Sequence, residues 1–370
     1  MIVDKSKWQK TTLEKLCKSG ASDIVISKTE IGIGKYKLYG ASGFVGNVDF
    51  YHNEEPYLGL VKDGSGVGRI DKYPAKSSLV GTMQYLFPTD LANIDFLKYL
   101  IEFLNLAKYV KGAAIPHIYY RHYKNEKVTI PNLAIQSQIA SELDAIQTMI
   151  EGYKAQLIDL DELIKSIFNN TFGDIHSNPN NFEIKLMQDV CSKITDGTHN
   201  PPKFVDSGIP FIFVSNIANY EISYLAKKHI DDAAYNELWK STPVEVGDIV
   251  YTSVGSYGNP AIVRTDKKFM FQRHIALLKP KHDIIESEYL KWFLISPSGK
   301  EQADNKAIGA AQKTLNLKAI KTFKILVPPK DKQQNFTAQV EVLEKQRALL
   351  QEQLADAEQL MAERMQFYFS

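Results

Sequence analysis

The sequence has few metal-binding residues and no segment for a membrane. Its two cysteines, Cys17 and Cys191, are too few for a zinc cage and fall at apolar positions of predicted short helices, which indicates buried structural thiols. His117 and His122 have no cysteine or carboxylate at ligand spacing, so no metal site is predicted. No run approaches roughly 18 apolar residues, and no charged-then-apolar leader opens the chain. We therefore expect a cytoplasmic protein.

Motifs of catalysis and cofactor binding are also missing. The sequence has no GxxxxGK[ST] phosphate loop and no serine or cysteine nucleophile arrangement. The glycine loop Val61–Gly68 is similar to a nucleotide loop, but its counterpart Ser253–Pro260 keeps only the turn glycines. This favours a strand–turn–strand with glycines at positive φ. Asn200-Pro201-Pro202 is followed by Lys203, not by the aromatic residue that stacks on a flipped base in amino methyltransferases. The chain is predicted to be non-catalytic and to hold no cofactor.

The chain does contain a copy of itself. Gly112-Ala113-Ala114 matches Gly309-Ala310-Ala311 at an offset of 197 residues. At the same offset the matching pairs are Lys124 and Lys321, Pro131 and Pro328, Gln136 and Gln333, and Phe172 and Phe369. Near the front of each copy, the matching pairs are Trp8 and Phe182, Leu13 and Met187, Leu16 and Val190, and Cys17 and Cys191. Two copies of one long unit predict a pseudo-two-fold molecule, which suits a two-fold or long ligand such as duplex DNA.

Charge is distributed unevenly over four predicted segments. The net charge of the chain is +1, but residues 1–132 carry 18 Lys+Arg against 13 Asp+Glu, and residues 173–328 carry 19 against 17. Residues 133–172 carry 2 against 6, and residues 329–370 carry 5 against 7. We predict two globular domains, at 1–132 and 173–328, that face phosphates, each followed by a more acidic helical segment that faces protein or solvent.

Each acidic segment shows the three–four spacing of a coiled-coil seam. The seam residues of the first are Ile139, Leu143, Ile146, Ile150, Tyr153, Leu157, Leu160 and Ile164, and those of the second are Phe336, Val340, Leu343, Leu350, Leu354 and Met361. The second seam also carries Arg347 and Arg364. About 35 residues at about 1.5 Å each predict a rod of about 50 Å. We expect the two helices to pair antiparallel within the chain. The alternatives are two separate cores or an intermolecular coiled coil.

The globular segments predict a mixed α/β (α+β) fold in tandem. Each has a short first helix, apolar strands with turns, a later helix (about Ile94–Leu106 and Glu288–Ser296) and a final strand that runs into proline (Lys127–Pro131 and Lys324–Pro328).

Three stretches of the second copy resemble the specificity subunit of type I restriction–modification systems. Thr195–Phe204 with Gly208–Phe211 is similar to the "DGTH…P…G.PF" opening of that family's target-recognition domains. Gly247–Gly258 resembles its "GDIL…S..G..G" hairpin, and Gly309–Gln333 resembles its "G..Q..L…P.PP…Q" junction. The first copy lacks the DGTH opening and has His117–Tyr120 where the second has Thr314–Leu317. The resemblance covers essentially the whole chain.

The resemblance implies a function in DNA recognition. Each domain would read one half of a bipartite target, and the helices would set the spacer and dock two modification subunits that methylate adenine. S-adenosylmethionine, ATP and Mg would belong to partner subunits, including restriction subunits that translocate and cut. Alternatives are the specificity partner of a fused restriction–methyltransferase enzyme that cuts both sides of a split site, a self-contained enzyme, and a non-enzymatic coiled-coil scaffold.

Polar and basic loop residues are the candidates for DNA contact. In the first domain they are Lys62, Ser65, Arg69, His117, Tyr119, Tyr120 and Arg121, and in the second they are Thr198, His199, Lys203, Ser253, Ser256, Tyr257, Gln312, Lys313 and Asn316. The Asp196–His199 element is equally compatible with a structural turn in which Asp196 caps and Gly197 takes positive φ.

Overall fold

The structure, a computed structural model, describes residues 4–112, 116–310 and 313–370. The strands of the first copy are β1 (Gln9–Thr12), β2 (Cys17–Ala21), β3 (Tyr36–Gly40), β4 (Gly43–Val48), β5 (Tyr57–Val61), β6 (Ile70–Tyr73), β7 (Ser77–Leu79), β8 (Met83–Pro88) and β9 (Lys127–Ile130). Its helices are α1 (Leu13–Leu16), α2 (Ile94–Leu104), α3 (Tyr120–Tyr123) and the long α4 (Leu133–Phe172).

The second copy adds two strands and two helices to this order. Its strands are β10 (Glu183–Leu186), β11 (Cys191–Asp196), β12 (Ile209–Ile212), β13 (Ile217–Ala218), β14 (Glu221–Ile222), β15 (His229–Ile230), β16 (Ile249–Thr252), β17 (Pro260–Ile262), β18 (Met270–Phe271), β19 (Ile275–Pro280) and β20 (Lys324–Val327). Its helices are α5 (Met187–Val190), α6 (Asp232–Ser241), α7 (Ser287–Ile295), α8 (Pro297–Lys306), α9 (Leu317–Lys321) and the long α10 (Lys330–Phe369). Within the described ranges, none of these helices is long and apolar enough to cross a membrane.

The two copies share one sheet topology, which confirms the predicted repeat and the mixed α/β class. The four-stranded sheet has the order β2-β8-β5-β6 in the first copy and β11-β19-β16-β17 in the second. A three-stranded sheet has the order β4-β3-β7 or β15-β12-β18, with one antiparallel and one parallel pair each time. The outer pairs β1-β9 and β10-β20 are both antiparallel. The central strands β5 and β16 are buried along their whole length, as their apolar residues require.

The copies differ by insertions in the second domain. β3 and β4 are joined by a tight turn, whereas a short 3-10 turn and the β13-β14 hairpin lie between β12 and β15. Helix α6 follows β15, where the first copy has only a loop. The insertions explain why the front and back of the copies match at different offsets.

The chain forms two compact units that each combine a globular domain with parts of both long helices. One unit contains Met1–Ala155 and Gln351–Ser370, and the other contains Gln156–Leu350. The predicted four-segment division therefore describes sequence order, while packing assigns each long helix partly to each unit.

Within the first unit, α4 and α10 contact each other in antiparallel sense. Glu142 accepts from Arg364 Nε at 2.5 Å and from the Tyr368 hydroxyl at 2.8 Å. Lys154 Nζ lies 2.8 Å from Glu358 Oε1. Residue numbers rise on one helix as they fall on the other. The chain end also lies at the first domain here, because Lys5 Nζ donates to the Ser370 carbonyl at 3.1 Å.

Within the second unit, the helices are also antiparallel. Arg347 pairs with Asp161 across the helices, and the rings of Phe168 and Phe336 lie 5.5 Å apart. The two seam arginines are therefore partners of acidic residues on α4. At the end of α4, Phe168 is 2% exposed and the adjacent Ile167 is half-buried.

The predicted seam residues are buried or half-buried throughout. The buried ones are Ile139, Leu143, Ile146, Ile150, Leu160, Ile164, Phe336, Val340, Leu350 and Met361, and the half-buried ones are Tyr153, Leu157, Leu343 and Leu354. Most of them join an apolar core, which in the first unit contains α2 and in the second unit contains α7. The two cysteines are buried in these same cores, and burial raises the pKa of each thiol to about 12.

A buried glutamine ties each long helix to its domain. Gln136 Oε1 accepts from the Asn93 amide at 2.8 Å, and its Nε2 donates to the carbonyls of Leu91 and Pro131, both at 2.9 Å. Gln333 makes the same three bonds in the other unit, accepting from the Glu286 amide at 2.8 Å and donating to the carbonyls of Pro328 (2.8 Å) and Ile284 (3.1 Å). We call Gln136 and Gln333 the junction glutamines.

Candidate nucleic-acid interface

In the first domain, the glycine loop lies beside the turn that follows the Gly-Ala-Ala sequence. The loop connects β5 to β6, and Gly64 and Gly68 have φ values of 95° and 91°, so this is the strand–turn–strand predicted from the glycines. The Gly64 amide donates to the Pro116 carbonyl at 2.9 Å, and the Ile118 amide donates to the Lys62 carbonyl at 2.9 Å. Two segments that are about 50 residues apart in sequence thus form one surface.

The second domain repeats this arrangement bond for bond. The Gly255 amide donates to the Lys313 carbonyl at 3.1 Å, and the Leu315 amide donates to the Ser253 carbonyl at 2.8 Å. Gly255 and Gly258 take positive φ, as their counterparts do. Both domains therefore bring the same two predicted loops together, although their side chains differ. Ala113 and Ala114, Ala311 and the candidate Gln312 lie outside the described residues.

Three candidates occupy the glycine loop of the first domain. Lys62 is half-buried and pairs with Asp63 at 2.5 Å, which offsets its charge. Arg69 is exposed, and its Nη2 donates to the Ala41 carbonyl at 2.7 Å. Ser65 is exposed at the loop tip. The Arg69 side chain is therefore held by a hydrogen bond, and the Ser65 side chain is open to solvent.

The neighbouring turn carries an aromatic and basic cluster. The ring of Tyr119 is 4.8 Å from the His117 ring, and the Arg121 guanidinium lies over the Tyr119 ring at 4.8 Å. His122 packs edge-on against Tyr119 at 5.5 Å. Partial burial, with the positive charges of Lys111 and Arg121, lowers the pKa of His122. These effects favour the neutral form of the ring.

Tyr120, which was also predicted as a DNA contact, packs inward. It is half-buried against the core of the first unit, and its hydroxyl donates to the Cys17 carbonyl at 2.7 Å. Its side chain therefore holds α3 against β2. Tyr119 is exposed and Tyr120 is half-buried, although the two residues are adjacent. The sequence alone did not distinguish their environments.

The Asp-Gly-Thr-His element of the second domain forms an ordered turn at the start of the interface. His199 Nε2 lies 3.0 Å from Asp196 Oδ2, and the Thr198 hydroxyl donates to the Asn200 carbonyl at 2.7 Å. Gly197 does not take positive φ, contrary to the structural-turn alternative. A Cβ there would lie 2.1 Å from the Phe271 carbonyl oxygen, so close backbone approach requires the glycine. Lys203 follows, exposed.

Two other candidates in the second domain have structural roles. Ser253 is 6% exposed and directly follows β16, so its side chain is buried. Asn316 caps α9, because its Oδ1 accepts from the Ala319 amide at 2.9 Å. Both were predicted as DNA contacts, and those contacts stay predictions.

The remaining candidates of the second domain are accessible. Ser256 and Lys313 are exposed. Tyr257 is half-buried, and its hydroxyl donates to Asp304 Oδ1 at 2.6 Å, so the phenol is oriented by a carboxylate. Lys313 stands beside the glycine loop through the Gly255 bond described above.

The structure adds Arg273 and His274, which the sequence analysis missed. The Arg273 amide donates to the Thr198 carbonyl at 3.0 Å, and the Ser253 amide donates to the His274 carbonyl at 2.9 Å. Arg273 is exposed. Partial burial and then the Arg273 charge lower the pKa of His274. These residues precede β19 and belong to no motif, so only the sheet order β11-β19-β16 shows that they link the Thr198 turn to the glycine loop.

The arrangement is suited to binding rather than to catalysis. Amides, hydroxyls and basic side chains from separate loops meet at one edge of each domain, and these are the groups that contact phosphates and base edges. Within residues 4–112, 116–310 and 313–370, there is no group of three or more His, Cys, Asp or Glu side chains suited to a metal ion.

Two solved structures share the fold. The S subunit of a type I restriction–modification system from M. genitalium matches with a TM-score of 0.63 and 14% identity over 98% of this chain and 96% of that one. A chain from a structural study of assembly and conformational transition in the type I system matches with a TM-score of 0.54 and 14% identity, covering 97% of each chain.

Sequence comparison identifies relatives and a family. The specificity subunit of the type I restriction enzyme EcoBI from Escherichia coli is 25% identical over 63% of this chain, which spans 54% of the relative's length. The MjaVIII specificity subunit from Methanocaldococcus jannaschii is 22% identical over 78% of this chain and 72% of its own length. The family model described as the type I restriction modification DNA specificity domain matches residues 5–160 and 179–359, and so covers both copies. The chain belongs to the family of type I restriction modification DNA specificity domains.

Proposed function

We propose that the chain is the specificity subunit of a type I restriction–modification complex, which selects the DNA sequence on which other subunits act. The observation that carries the proposal is the duplicated interface. Each domain joins a glycine loop to the turn after the Gly-Ala-Ala sequence through the same pair of backbone bonds, Gly64–Pro116 and Ile118–Lys62 or Gly255–Lys313 and Leu315–Ser253. The same backbone arrangement with different side chains would allow the two domains to recognise different short sequences.

The two domains offer different contact groups to their half-sites. In the first domain the proposed contacts are Lys62, Ser65, Arg69, His117, Tyr119 and Arg121. In the second they are Thr198, His199, Lys203, Ser256, Tyr257, Lys313 and the additional Arg273. Arginine and lysine would mostly pair with phosphates, while hydroxyl groups and imidazoles would read base edges. The half-sites need not match each other.

The long helices would set the length of the unspecified spacer. Each has 40 residues, so each is about 60 Å long, somewhat longer than the 50 Å expected from the seam alone. A duplex turn is about 34–36 Å, so such a rod corresponds to less than two turns. The helices make antiparallel contacts within each unit, and a fixed register between them would give a fixed spacer.

Chemistry would belong to partner subunits. Two modification subunits would dock on the helices and adjoining surfaces and methylate adenine with S-adenosylmethionine. Restriction subunits would supply ATP- and Mg-dependent translocation and cleavage. The complex would work in the cytoplasm, where it meets DNA. The chain itself contributes recognition and geometry.

Modified-base sequencing tests the proposal. DNA from cells that express the chain with its neighbouring methyltransferase should carry methyladenine on two short blocks separated by a fixed, unspecified gap. The mark should disappear when the chain is deleted. A contiguous motif, or methylation that persists without the chain, would contradict the proposal and favour a scaffold.

A further inference from the structure

One of the differences between the two interfaces replaces a helix cap with an aromatic ring. Asn316 of the second copy is the N-cap of α9 and accepts from the Ala319 amide at 2.9 Å. The position 197 residues earlier is Tyr119, which precedes α3 and makes no side-chain capping bond. Asparagine is among the best N-cap residues and tyrosine is not. The first domain therefore has an aromatic ring where the second domain has a stabilising cap.

The ring is exposed but held in one orientation. Tyr119 is 45% exposed, although its edges contact His117 and His122 and the Arg121 guanidinium lies over the ring. Its hydroxyl makes no hydrogen bond to any residue that the structure describes. These three neighbours fix the orientation of the exposed ring. The arrangement leaves the ring available to a ligand at little cost in conformational entropy.

The charges around the ring favour a polyanion with flat apolar faces. Lys111 lies in the same turn, where its amide and carbonyl pair with His117 at 2.9 Å each, and Arg121 is exposed. The carboxylate that faces this turn, Asp63, is paired with Lys62 at 2.5 Å. The local field is therefore positive. Nucleic acid combines phosphates for the cations with base faces for the ring.

We propose that Tyr119 is a base-contacting residue of the first half-site, and that its ring contributes the contact. The two domains then read their half-sites by different means, with an aromatic and basic cluster in the first and with hydroxyl, imidazole and lysine groups in the second. This inference rests on the proposed function, because it assigns a residue to one half of a bipartite target. Apolar and aromatic side chains contact bases by stacking or by partial insertion at a base step.

The second copy supplies the test substitution, Tyr119→Asn, which restores the residue found at the equivalent cap. The full chain, purified with its modification subunit, is titrated against the duplex identified by modified-base sequencing and against duplexes with either half-site scrambled. Tyr119→Phe keeps the ring and removes the hydroxyl. Tyr120→Phe is the matched control, since that neighbouring ring packs in the core.

Tyr119→Asn should weaken binding to the full target by about tenfold. The penalty for scrambling the first half-site should shrink by the same factor, and the penalty for the second should not change. Tyr119→Phe should bind within about threefold of the unmodified chain. Since asparagine can cap α3, the thermal midpoint should stay level or rise by about 2 °C, which excludes unfolding as the cause.

Three results would overturn the inference. The first is that Tyr119→Asn binds the target as tightly as the wild-type chain. The second is that it loses discrimination equally at both half-sites. The third is that Tyr119→Phe loses as much affinity as Tyr119→Asn. Failure of the proposed function has a separate signature, because the unmodified chain would then prefer neither half-site over scrambled duplex.

Discussion

Replacing a junction glutamine should destabilise one unit strongly, although the residue carries no charge. Gln333 is fully buried and makes three hydrogen bonds where α10 meets its domain. Gln333→Ala removes all three and leaves one amide and two carbonyl groups without this partner. Each buried group left unpaired costs about 1–3 kcal/mol, and entry of water into the vacated space would recover part of that loss. We expect a loss of about 3 kcal/mol.

The thermal midpoint of the affected unit should fall by about 9 °C, since each kcal/mol shifts a domain of this size by about 2–4 °C. Differential scanning calorimetry of the full chain measures this shift. Gln334→Ala is the matched control, because the adjacent glutamine is exposed and such substitutions usually change stability by less than about 0.5 kcal/mol.

Gln136→Ala, with exposed Gln138→Ala as its control, tests the same reasoning in the other unit. A midpoint for Gln333→Ala equal to that of Gln334→Ala would refute the argument. It would mean that the helix junction is maintained by apolar packing and that the three bonds are incidental.

Three further predictions concern the helices and the interface. Burial alone would raise the pKa of Glu142, but hydrogen bonds from Arg364 and Tyr368 outweigh burial and lower it. Arg364→Ala should therefore lower the free energy of unfolding by about 1 kcal/mol at pH 7, as measured by denaturant titration. This difference between the two proteins should disappear as the pH falls below about 4. Inserting one heptad after Ala155 and another after Leu350 should lengthen the methylated motif's gap by about three base pairs. Arg273→Ala should lower the slope of log affinity against log salt by about one.

Each of these predictions has a result that would contradict it. Because the pKa of Glu142 is lowered in the folded state, its stabilising effect is present above the unfolded-state pKa and is lost in acid. A stability difference between Arg364→Ala and the wild-type chain that grew in acid would contradict this reasoning. An unchanged gap after the heptad insertions would show that the helices do not set the spacer. For Arg273, the control is Lys345→Ala on α10, and equal slopes for the two variants would place Arg273 away from the phosphates.

Sequence patterns located the loops of the candidate site but not the surroundings of individual side chains. Glycine spacing and the repeated Gly-Ala-Ala sequence identified the loops that the structure brings together in both domains. DNA contact by Tyr120, Ser253 and Asn316 stays a prediction, because the structure gives these side chains a place against the core, a buried position after a strand and a role as a helix cap. Arg273 was missed since its neighbours in space are about 20 to 75 residues away in sequence.

The sequence by itself determined the duplicated architecture and the two long helices. Repeat offsets and heptad spacing are periodic along the chain, and periodicity controls local backbone structure and the face that is buried. Only the tertiary structure decided the partners of individual polar groups. It showed that Arg347 and Arg364 pair with acids of α4, that Gln136 and Gln333 bond to carbonyl and amide groups more than 40 residues away, and that Tyr119 is exposed beside a buried Tyr120. Such contacts depend on distances between elements that are remote in sequence, and no local pattern contains those distances.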